Sequence, residues 1–301
     1  MIYVLGSLNM DYVARLKHVP KQGETVLAEV FDTFCGGKGA NQAVAVAKLG
    51  GQTAMIGHVG IDGNGKRLKE NLVAAGVEVS HVTENGTDSG LAMIWVQKGD
   101  NRIVVAPNAN FRFQQSEIDT ALSTAKIGDI LITQLEVPVD IVAYALKIGK
   151  EKGMTTVLNP APAVKNLPSE MFLYTDIITP NETETEKLTG VNPVDIVHIA
   201  LAVKKFYQMG IKRVVLTLGA RGAVCAEGNT ITEIEARKVK VVDTTAAGDT
   251  FVGALSLKIA EGVALTDACR FANCASSLTI QRRGAGESIP KRGEVDAVYH
   301  G

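Results

Sequence analysis

Short runs of apolar, often β-branched residues alternate along the chain with longer segments of helical period. The apolar runs and the helical segments between them fall at residues 1–6, 40–50, 53–60, 65–75, 129–133, 139–152, 154–159, 176–179 and 213–217. The apolar runs are continuous, which is typical of parallel strands that helices cover on both faces. The pattern predicts one α/β domain over residues 1–301, with a doubly wound and mainly parallel sheet.

Two stretches break this rhythm because apolar and polar residues alternate in them, at about residues 12–33 and 90–107. The second contains LAMIWVQ and RIVVAP on either side of Lys98-Gly99-Asp100-Asn101, which is a hairpin signal. We predict a small antiparallel sheet outside the parallel core, serving as a lid or as a dimer surface. Residues 250–282 predict two helices rich in alanine.

The composition and charge of the chain limit the classes of function. With 301 residues, 46% of them hydrophobic, the chain can bury a large core. Lys plus Arg number 31 against 32 for Asp plus Glu, so no excess of positive charge attracts a nucleic-acid backbone or an anionic membrane. We therefore expect a small-molecule ligand, and neither nucleic acid nor membrane as a partner.

The sequence also predicts a compartment. The chain starts directly with an apolar strand and no basic leader, and no apolar run reaches the roughly 18 residues that span a bilayer. The four cysteines show no C-x-x-C spacing and the five histidines no H-x-x-x-H. We therefore expect a cytoplasmic protein without disulfide bonds or zinc.

The strongest chemical signal is the run DTTAAGDTF, from Asp243 to Phe251. A strand predicted at residues 238–243 ends here, and small residues open a helix. Free N–H groups of a first helical turn form an anion site that suits a transferring phosphoryl group, and Asp249 places a carboxylate beside it. Alternatively, Asp249 only stabilises the dipole of its own helix, although that explains one of the two acids.

A glycine cluster at residues 35–43, CGGKGANQA, leads into a helix and carries Lys38 and Asn41. The glycines allow close approach of the backbone, and these two side chains can bind hydroxyls or phosphate. The alternative is a tight turn before an amphipathic helix. Residues 60–67 nearly match the phosphate loop G-x-x-x-x-G-K-[ST], but Arg67 stands where a hydroxyl is needed, and we reject that motif.

Further polar residues follow predicted parallel strands at their carboxyl ends, where open α/β sheets bind ligands. In TPNETE, Asn181 and Glu184 fit a capping box, and a magnesium role is equally allowed by their oxygen chemistry. The remaining candidates on this rim are Asn9, Asp11, Glu136 and the run TLGARG at residues 217–222.

Taken together, these motifs resemble the ribokinase-like (PfkB) carbohydrate kinase family over essentially the whole chain. The motifs that carry the resemblance are Asn9 with Asp11, GGKGANQA from Gly36, TPNETE from Thr179, DTTAAGD from Asp243 and RRGA from Arg282. GGKGANQA and NPAPA (159–163) are more typical of the ribokinase branch of that family. The resemblance implies a Rossmann-like α/β fold, a β lid that also forms a homodimer interface, and phosphorylation of D-ribose by ATP at the 5-hydroxyl.

The resemblance also implies roles for individual residues. Asp249 is the implied general base, and the backbone of Ala246, Ala247 and Gly248 the implied anion hole. The sugar-binding residues are implied to be Asn9, Asp11, Gly37, Lys38, Asn41, Glu136 and Asp249. The nucleotide-binding residues are implied to be Asn181, Thr217, Gly219, Gly222, Gly248 and Asn273.

Two cations are implied as well. Magnesium is expected at Asn181 and Glu184, through water. A monovalent cation, usually potassium, is expected at Asp243 and Thr245, the backbone carbonyls of Thr279, Arg282 and Gly284, and the side chain of Ser288.

Three alternatives stay open from the sequence. The first is a related kinase for deoxyribose, fructose or a nucleoside, since a few pocket contacts shift sugar preference. The second is a catalytically silent sugar sensor on the same fold, which needs neither Asp249 nor the small-residue turn. The third is a dinucleotide-dependent oxidoreductase, which fits the αβ rhythm but lacks G-x-G-x-x-G after a strand.

Overall fold

A computed structural model describes residues 1–97 and 100–300 and confirms the α/β class. Its strands are β1 (Ile2–Leu5), β2 (Asn9–Arg15), β3 (Val30–Gly36), β4 (Thr53–Gly60), β5 (Glu78–Asn85), β6 (Gly90–Gln97), β7 (Asp100–Ala106), β8 (Ile130–Thr133), β9 (Thr155–Leu158), β10 (Ile177–Ile178), β11 (Arg213–Thr217), β12 (Ala223–Glu227) and β13 (Thr230–Ile234). Its helices are α1 (Lys38–Lys48), α2 (Gly63–Ala74), α3 (Gln115–Ala121), α4 (Val139–Glu151), α5 (Ser169–Leu173), α6 (Glu182–Thr189), α7 (Ile196–Gln208), α8 (Ala247–Ala260), α9 (Leu265–Thr279) and α10 (Arg292–Asp296).

The larger sheet has nine strands in the order β13-β12-β11-β10-β9-β8-β1-β4-β5. It is parallel from β5 to β11, while β12 pairs antiparallel with β11 and the edge strand β13 pairs antiparallel with β12. All residues of β1, β4 and β8 are buried, as their continuous apolar sequences predict. The predicted mainly parallel, doubly wound sheet is therefore confirmed.

The strand order reverses between β1 and β8. From β1 the chain builds outward through β4 and β5, and it later returns to place β8 on the other side of β1. At such a reversal the connections leave to opposite sides of the sheet and open a crevice at the carboxyl ends of the two strands. Polar residues that follow β1 and β8 are thereby brought to one crevice.

The second sheet, the lid sheet, has the order β3-β2-β6-β7 and is mixed. The hairpin of β6 and β7 is antiparallel, as predicted, but β2 pairs with β6 in parallel, with Asn9 beside Gly90. The prediction of a wholly antiparallel lid is therefore wrong. The reason is topological: β2 and β6 both continue from parallel strands of the core, so they leave the core edge in one direction. The turn residues Lys98 and Gly99 lie outside the described residues.

The bounds predicted for the first lid segment, 12–33, also need correction. Strand structure covers Asn9–Arg15 and Val30–Gly36, while residues 16–29 form no strand. Within that stretch, Glu24 accepts hydrogen bonds from the backbone N–H of Lys21 and pairs with His18. These local bonds close a turn, so the polar alternation there does not continue a ladder.

The predicted strand at residues 238–243 is not formed. In the described part of the chain this run pairs with no strand. Instead, the backbone N–H groups of Val242 and Asp243 both donate to the carbonyl of Ile280, at 2.8 and 3.2 Å. A β-branched run can thus satisfy its backbone at the carboxyl end of α9 instead of in a sheet.

The helices α1 and α8 pack against each other on one face of the large sheet. Their approach is close because Gly253 lacks a side chain: a Cβ there would lie 2.7 Å from Ala45 Cβ and 2.8 Å from the carbonyl of Gln42. The helix pair is buried among apolar residues of α1, α8 and α9. In residues 1–97 and 100–300, no helix has the length and apolar character needed to cross a membrane.

Candidate active site

The amino-terminal turn of α8 separates two cavities. One of about 510 Å³, the lid cavity, lies against the lid sheet, and one of about 1040 Å³, the α9 cavity, lies toward α9. Thr244 lines both, whereas Asp249 faces the lid cavity and Gly248 the α9 cavity. A smaller space of about 230 Å³ touches both Asp249 and Gly248. Groups held in the two cavities would meet at one helical turn.

This turn has the geometry of an anion site. Ala246 caps α8 in the left-handed conformation, with φ of 59°, which is uncommon for a residue with a side chain. The first N–H groups of a helix have no partner within the helix. Here the N–H of Ala247 donates to the carbonyl of Thr244 at 3.2 Å, and the next two belong to Gly248 and Asp249. The positive end of the α8 dipole thus points at the boundary of the cavities.

The carboxylate of Asp249 is held at both oxygens. Asn41 Nδ2 donates to Oδ2 at 3.0 Å and Gln42 Nε2 donates to Oδ1 at 3.0 Å. Asp249 is 7% exposed and that exposure is to the lid cavity. Its predicted place in the first turn of the helix is confirmed, and its contacts go beyond stabilising the helix dipole.

All residues predicted to bind sugar line the lid cavity, namely Asn9, Asp11, Gly37, Lys38, Asn41, Glu136 and Asp249. Glu136 joins several of them, since its Oε2 accepts hydrogen bonds from the Lys38 backbone N–H at 3.2 Å and from Asn9 Nδ2 at 3.5 Å. Gly37 has φ of 93°, and a Cβ there would lie 2.7 Å from the backbone nitrogen of Asn9. Only glycine therefore lets this loop lie against the start of β2.

The lid cavity gathers charges that shift each other's titration. The pKa of Asp11 is raised to about 7, first by burial and then by the negative charges of Glu136, Asp249 and Glu287. Burial opposes the charge of Lys38, yet the surrounding carboxylates, Asp249 and Glu136 foremost, raise its pKa overall. An ammonium group thus balances several acids within one cavity.

Asn181 and Glu184 form the capping box that their spacing predicts. Asn181 Oδ1 accepts from the Glu184 backbone N–H at 2.8 Å, and Glu184 Oε2 accepts from that of Asn181 at 2.8 Å. Burial raises the pKa of Glu184, against the opposing effects of the Asn181 hydrogen bonds and the Lys38 charge. Glu184 also lines the small space beside Gly248 and Asp249, so the cap lies at the junction of the cavities.

The residues predicted to bind nucleotide line the α9 cavity, namely Asn181, Thr217, Gly219, Gly222, Gly248 and Asn273. Sequence reasoning missed one wall of this cavity, which is residues 236–241 and includes Arg237, Lys238 and Lys240. The sequence has three basic residues in a run of four there. Because we predicted a strand at residues 238–243, we did not expect these residues on the wall of a cavity.

Three of the residues predicted to hold a monovalent cation, Asp243, Thr245 and Gly284, are joined by hydrogen bonds. Asp243 Oδ1 accepts from the N–H and the hydroxyl of Thr245, at 3.0 and 2.7 Å, and Oδ2 from the N–H of Gly284 at 3.4 Å. Thr279 is the last residue of α9, and Arg282, Gly284 and Ser288 lie in the loop that follows it. Lys48 Nζ, from the end of α1, donates to the carbonyls of Gly286 and Ile289 at 2.8 and 3.1 Å and fixes this loop.

Buried amides around Asp249 were not found by sequence reasoning. Behind the lid cavity, Gln42 accepts a hydrogen bond from Gln134 and donates one to Asn159. Asn110 positions Asn9 by donating to its Oδ1 at 2.8 Å. Their only sequence signal was a polar residue directly after a predicted strand or inside an apolar helix face. In residues 1–97 and 100–300, no three His, Cys, Asp or Glu side chains are grouped so that they could hold a metal ion.

Comparison with known proteins agrees with this geometry. The model of the "pfkB family carbohydrate kinase" matches residues 1–292. Ribokinase of Haemophilus influenzae is 39% identical over 294 residues, covering 97% of this chain and 96% of that protein. Deoxyribokinase of Salmonella typhi is 34% identical over 292 residues, covering 96% and 95%.

A solved structure is similar over the same extent. The structure of Arabidopsis thaliana ribokinase complexed with ribose and ATP has a TM-score of 0.92 and 33% identity, and the match covers 100% of this chain and 98% of that one. The family match and the full-length relatives lead to one conclusion: this chain belongs to the pfkB family of carbohydrate kinases.

Proposed function

We propose that this chain transfers the γ-phosphoryl group of ATP to the 5-hydroxyl of D-ribose, giving ribose 5-phosphate and ADP. The observation that carries the proposal is the position of the α8 turn, where Asp249 faces the lid cavity and Gly248 the α9 cavity. Ribose occupies the lid cavity and ATP the α9 cavity. Similarity to a ribokinase structure that contains ribose and ATP supports this choice of substrates.

In the proposed mechanism Asp249 is the general base. Its carboxylate accepts the proton of the 5-hydroxyl as the hydroxyl oxygen attacks the γ-phosphorus, and the bond from phosphorus to the β-γ bridging oxygen breaks, releasing ADP. Charge spreads over the phosphoryl oxygens in this step, and positioning with charge neutralisation supplies most of the catalysis. The backbone N–H groups in the turn at Ala246, Ala247 and Gly248, with the α8 dipole, stabilise that charge.

The polar lining of the lid cavity suits a polyol. Asn9 and Asn41 offer amide donors and acceptors, Lys38 three donors, and Glu136 and Asp11 carboxyl oxygens. Gly37 brings the backbone against the ligand. Sugar hydroxyls, each a donor and an acceptor, can be paired one by one with these groups.

Magnesium fits the junction of the two cavities. Glu184 and Asn181 place a carboxylate and an amide oxygen there, and hard oxygen ligands with retained water are what Mg²⁺ takes. Each Glu184 oxygen already accepts one hydrogen bond and keeps a further lone pair. When bound, magnesium neutralises charge on the phosphate oxygens of ATP.

A monovalent cation fits the loop beside α8. Asp243 supplies a carboxylate, and the carbonyls of Thr279, Arg282 and Gly284 with the Ser288 and Thr245 hydroxyls supply neutral oxygens, which is the donor chemistry that potassium takes. Asp243 already holds the turn before α8 through Thr245. A bound cation stabilises this loop, and hence the anion-site turn, without touching the substrate.

The lid is also the proposed surface for a homodimer. It exposes apolar residues on both faces: Ile103 (51% exposed) toward the lid cavity, and Phe31 (60%) and Val104 (51%) away from it. If the lid pairs two chains, Val104→Asp should convert a dimer to a monomer in sedimentation velocity. If the wild-type protein is already a monomer in this measurement, the proposed dimer is wrong and the proposed reaction is unaffected.

The single-domain organisation and the cytoplasmic location stay predictions from the sequence.

The proposal is tested by ADP release from ATP and magnesium, with D-ribose, 2-deoxyribose, fructose and adenosine in parallel, each in potassium and in sodium. We expect clear preference for D-ribose, faster turnover in potassium, and a product whose ³¹P signal couples to the two protons on carbon 5. Preference for 2-deoxyribose, which a deoxyribokinase relative makes a concrete alternative, would keep the mechanism and change the substrate. Absence of turnover with all four acceptors would favour the sugar sensor.

A further inference from the structure

A chain of buried amides leads from the edge of the sheet to Asp249. Gln42 Nε2 donates to Asp249 Oδ1 at 3.0 Å and to Asn159 Oδ1 at 3.2 Å, and Gln42 Oε1 accepts from Gln134 Nε2 at 2.6 Å. Gln42 and Gln134 are fully buried. Burying an amide costs free energy unless it is hydrogen-bonded, and here both N–H groups and the oxygen of Gln42 have partners.

The neighbours of Gln42 determine which way its amide faces. Asn159 Nδ2 donates to the carbonyl of Thr179 at 2.9 Å, which turns Asn159 Oδ1 toward Gln42. Gln134 offers Gln42 a donor on the other side. A flipped Gln42 amide would turn its oxygen toward Asp249 Oδ1 and Asn159 Oδ1 and its NH₂ toward the NH₂ of Gln134, losing all three bonds. Asn159, held by the carbonyl of Thr179, therefore fixes the Gln42 donor on Asp249, and the Gln134 donor adds to this orientation.

The location of Gln42 separates it from the ligand-binding residues. Asn41 lines the lid cavity, but Gln42 lines neither the lid cavity nor the α9 cavity nor the space between them. It reaches Asp249 because Gly253 allows α1 and α8 to approach closely. Any effect of Gln42 on the reaction must therefore pass through the residues that it holds, Asp249 and Asn159.

We propose that Gln42 is a positioning residue for phosphoryl transfer, whose amide, held by Gln134 and Asn159, aims the Asp249 carboxylate at the lid cavity. The inference rests on the proposed function, in which Asp249 is the base. A hydrogen bond from a neutral donor to a carboxylate stabilises the anion and restricts its rotation, and both effects serve proton abstraction.

The test is a pH profile of kcat and KM for D-ribose in Gln42→Met, which keeps the side-chain length and removes the donor. We expect kcat to fall about 10- to 100-fold, KM to stay within about 3-fold, and the acid limb of the kcat profile to move to higher pH. Gln42→Glu places a second carboxylate beside Asp249, so its acid limb should move further in the same direction.

Two further variants keep the test decisive. Gln134→Met removes the donor to Gln42 Oε1 and leaves the bond from Gln42 to Asn159. It should move kcat and the acid limb in the same direction by a smaller factor, which answers the case in which Gln42→Met does not fold. Val46→Ala truncates a fully buried residue of the same helix and should lower the melting temperature with no change in the pH profile.

The outcomes separate this inference from the proposed function. If Asp249→Asn is inactive while Gln42→Met and Gln134→Met have the pH profile of Val46→Ala, the positioning role is wrong and the general base stands. If Asp249→Asn turns over at the wild-type rate, Asp249 is not the general base, and the positioning role of Gln42 is then wrong as well.

Discussion

Asp249 on the core and Asp11 on the lid line the same cavity at nearly equal burial, 7% and 8% exposed, yet their surroundings differ. Asp249 receives amide donors from α1 at both oxygens. Asp11, on β2, receives no such donor from the described residues, and its pKa is raised to about 7 by burial and by neighbouring acids. The comparison teaches that two carboxyl groups of nearly equal burial can differ in their hydrogen-bond partners, and that burial and neighbouring acids raise the pKa of the one without donors.

The difference follows from how the two regions are built. Asp249 lies between helices that pack on the central strands, where Gly253 and the buried amides fix the distance between α1 and α8. Asp11 lies on a sheet whose apolar residues are partly exposed on both faces. The core therefore holds the Asp249 carboxyl group in a fixed orientation, while the Asp11 carboxyl group on the lid has no such hydrogen bonds from the described residues.

The largest effect is expected from removing the carboxylate of Asp249, the core member of the compared pair. Asp249→Asn keeps the shape and removes the base, so kcat should fall by about 10²- to 10⁴-fold. Binding of D-ribose should remain within about 3-fold, because the polar lining of the cavity is intact. Single-turnover kinetics and calorimetric titration with D-ribose measure the two quantities. Turnover near that of the wild type would remove Asp249 from the mechanism.

The next effect tests the packing that holds Asp249 in place. Gly253→Ala introduces a Cβ 2.7 Å from Ala45 Cβ and 2.8 Å from the Gln42 carbonyl, so α1 and α8 must separate. Overpacking of this kind costs about 1–3 kcal/mol, and we expect the melting temperature to fall by about 5 °C and kcat by about 10-fold.

The matched control for this change is Gly63→Ala at the start of α2, where an added Cβ has no atom within 4 Å. Its melting temperature should not fall. Gly253→Ala with an unchanged melting temperature and unchanged kcat would show that the helix spacing does not depend on this glycine.

The smallest effect concerns Asp11 and depends on pH. Its pKa is 3.8 in the unfolded chain and about 7 in the fold, so the folded chain binds more protons between these values. The free energy of unfolding that this group contributes therefore falls as pH rises from about 4 to about 7. Asp11→Asn has no such loss and should gain about 2–6 °C in melting temperature relative to the wild type between pH 5 and pH 8.

Asp88→Asn is the control for this prediction because Asp88 is an exposed acid away from the cavity. Its difference from the wild type should be the same at both pH values. The melting temperatures are measured by thermal unfolding without ligand. If the difference between Asp11→Asn and the wild type is also the same at both pH values, Asp11 behaves like a surface acid and the prediction is wrong.

Much of the fold could be predicted because its signals are local. The apolar runs of β1, β4 and β8 and the amphipathic helix α1 are each specified by neighbouring residues, and so is the capping box of Asn181 and Glu184. The run at 238–243 was predicted wrongly because a β-branched run specifies an extended backbone but not its partner. The parallel pairing of β2 with β6 likewise depends on where two distant strands leave the core.

By itself, the sequence determined which residues we propose to carry the chemistry: the DTTAAGD turn, the glycine loop at Gly37 and the rim residues that follow parallel strands. Only the tertiary structure decided how they act together. The bond between Gln42 and Asp249 joins residues 207 positions apart, and it exists because α1 and α8 approach at Gly253. Packing distance and amide orientation are properties of the assembled core, so no local pattern in the chain encodes them.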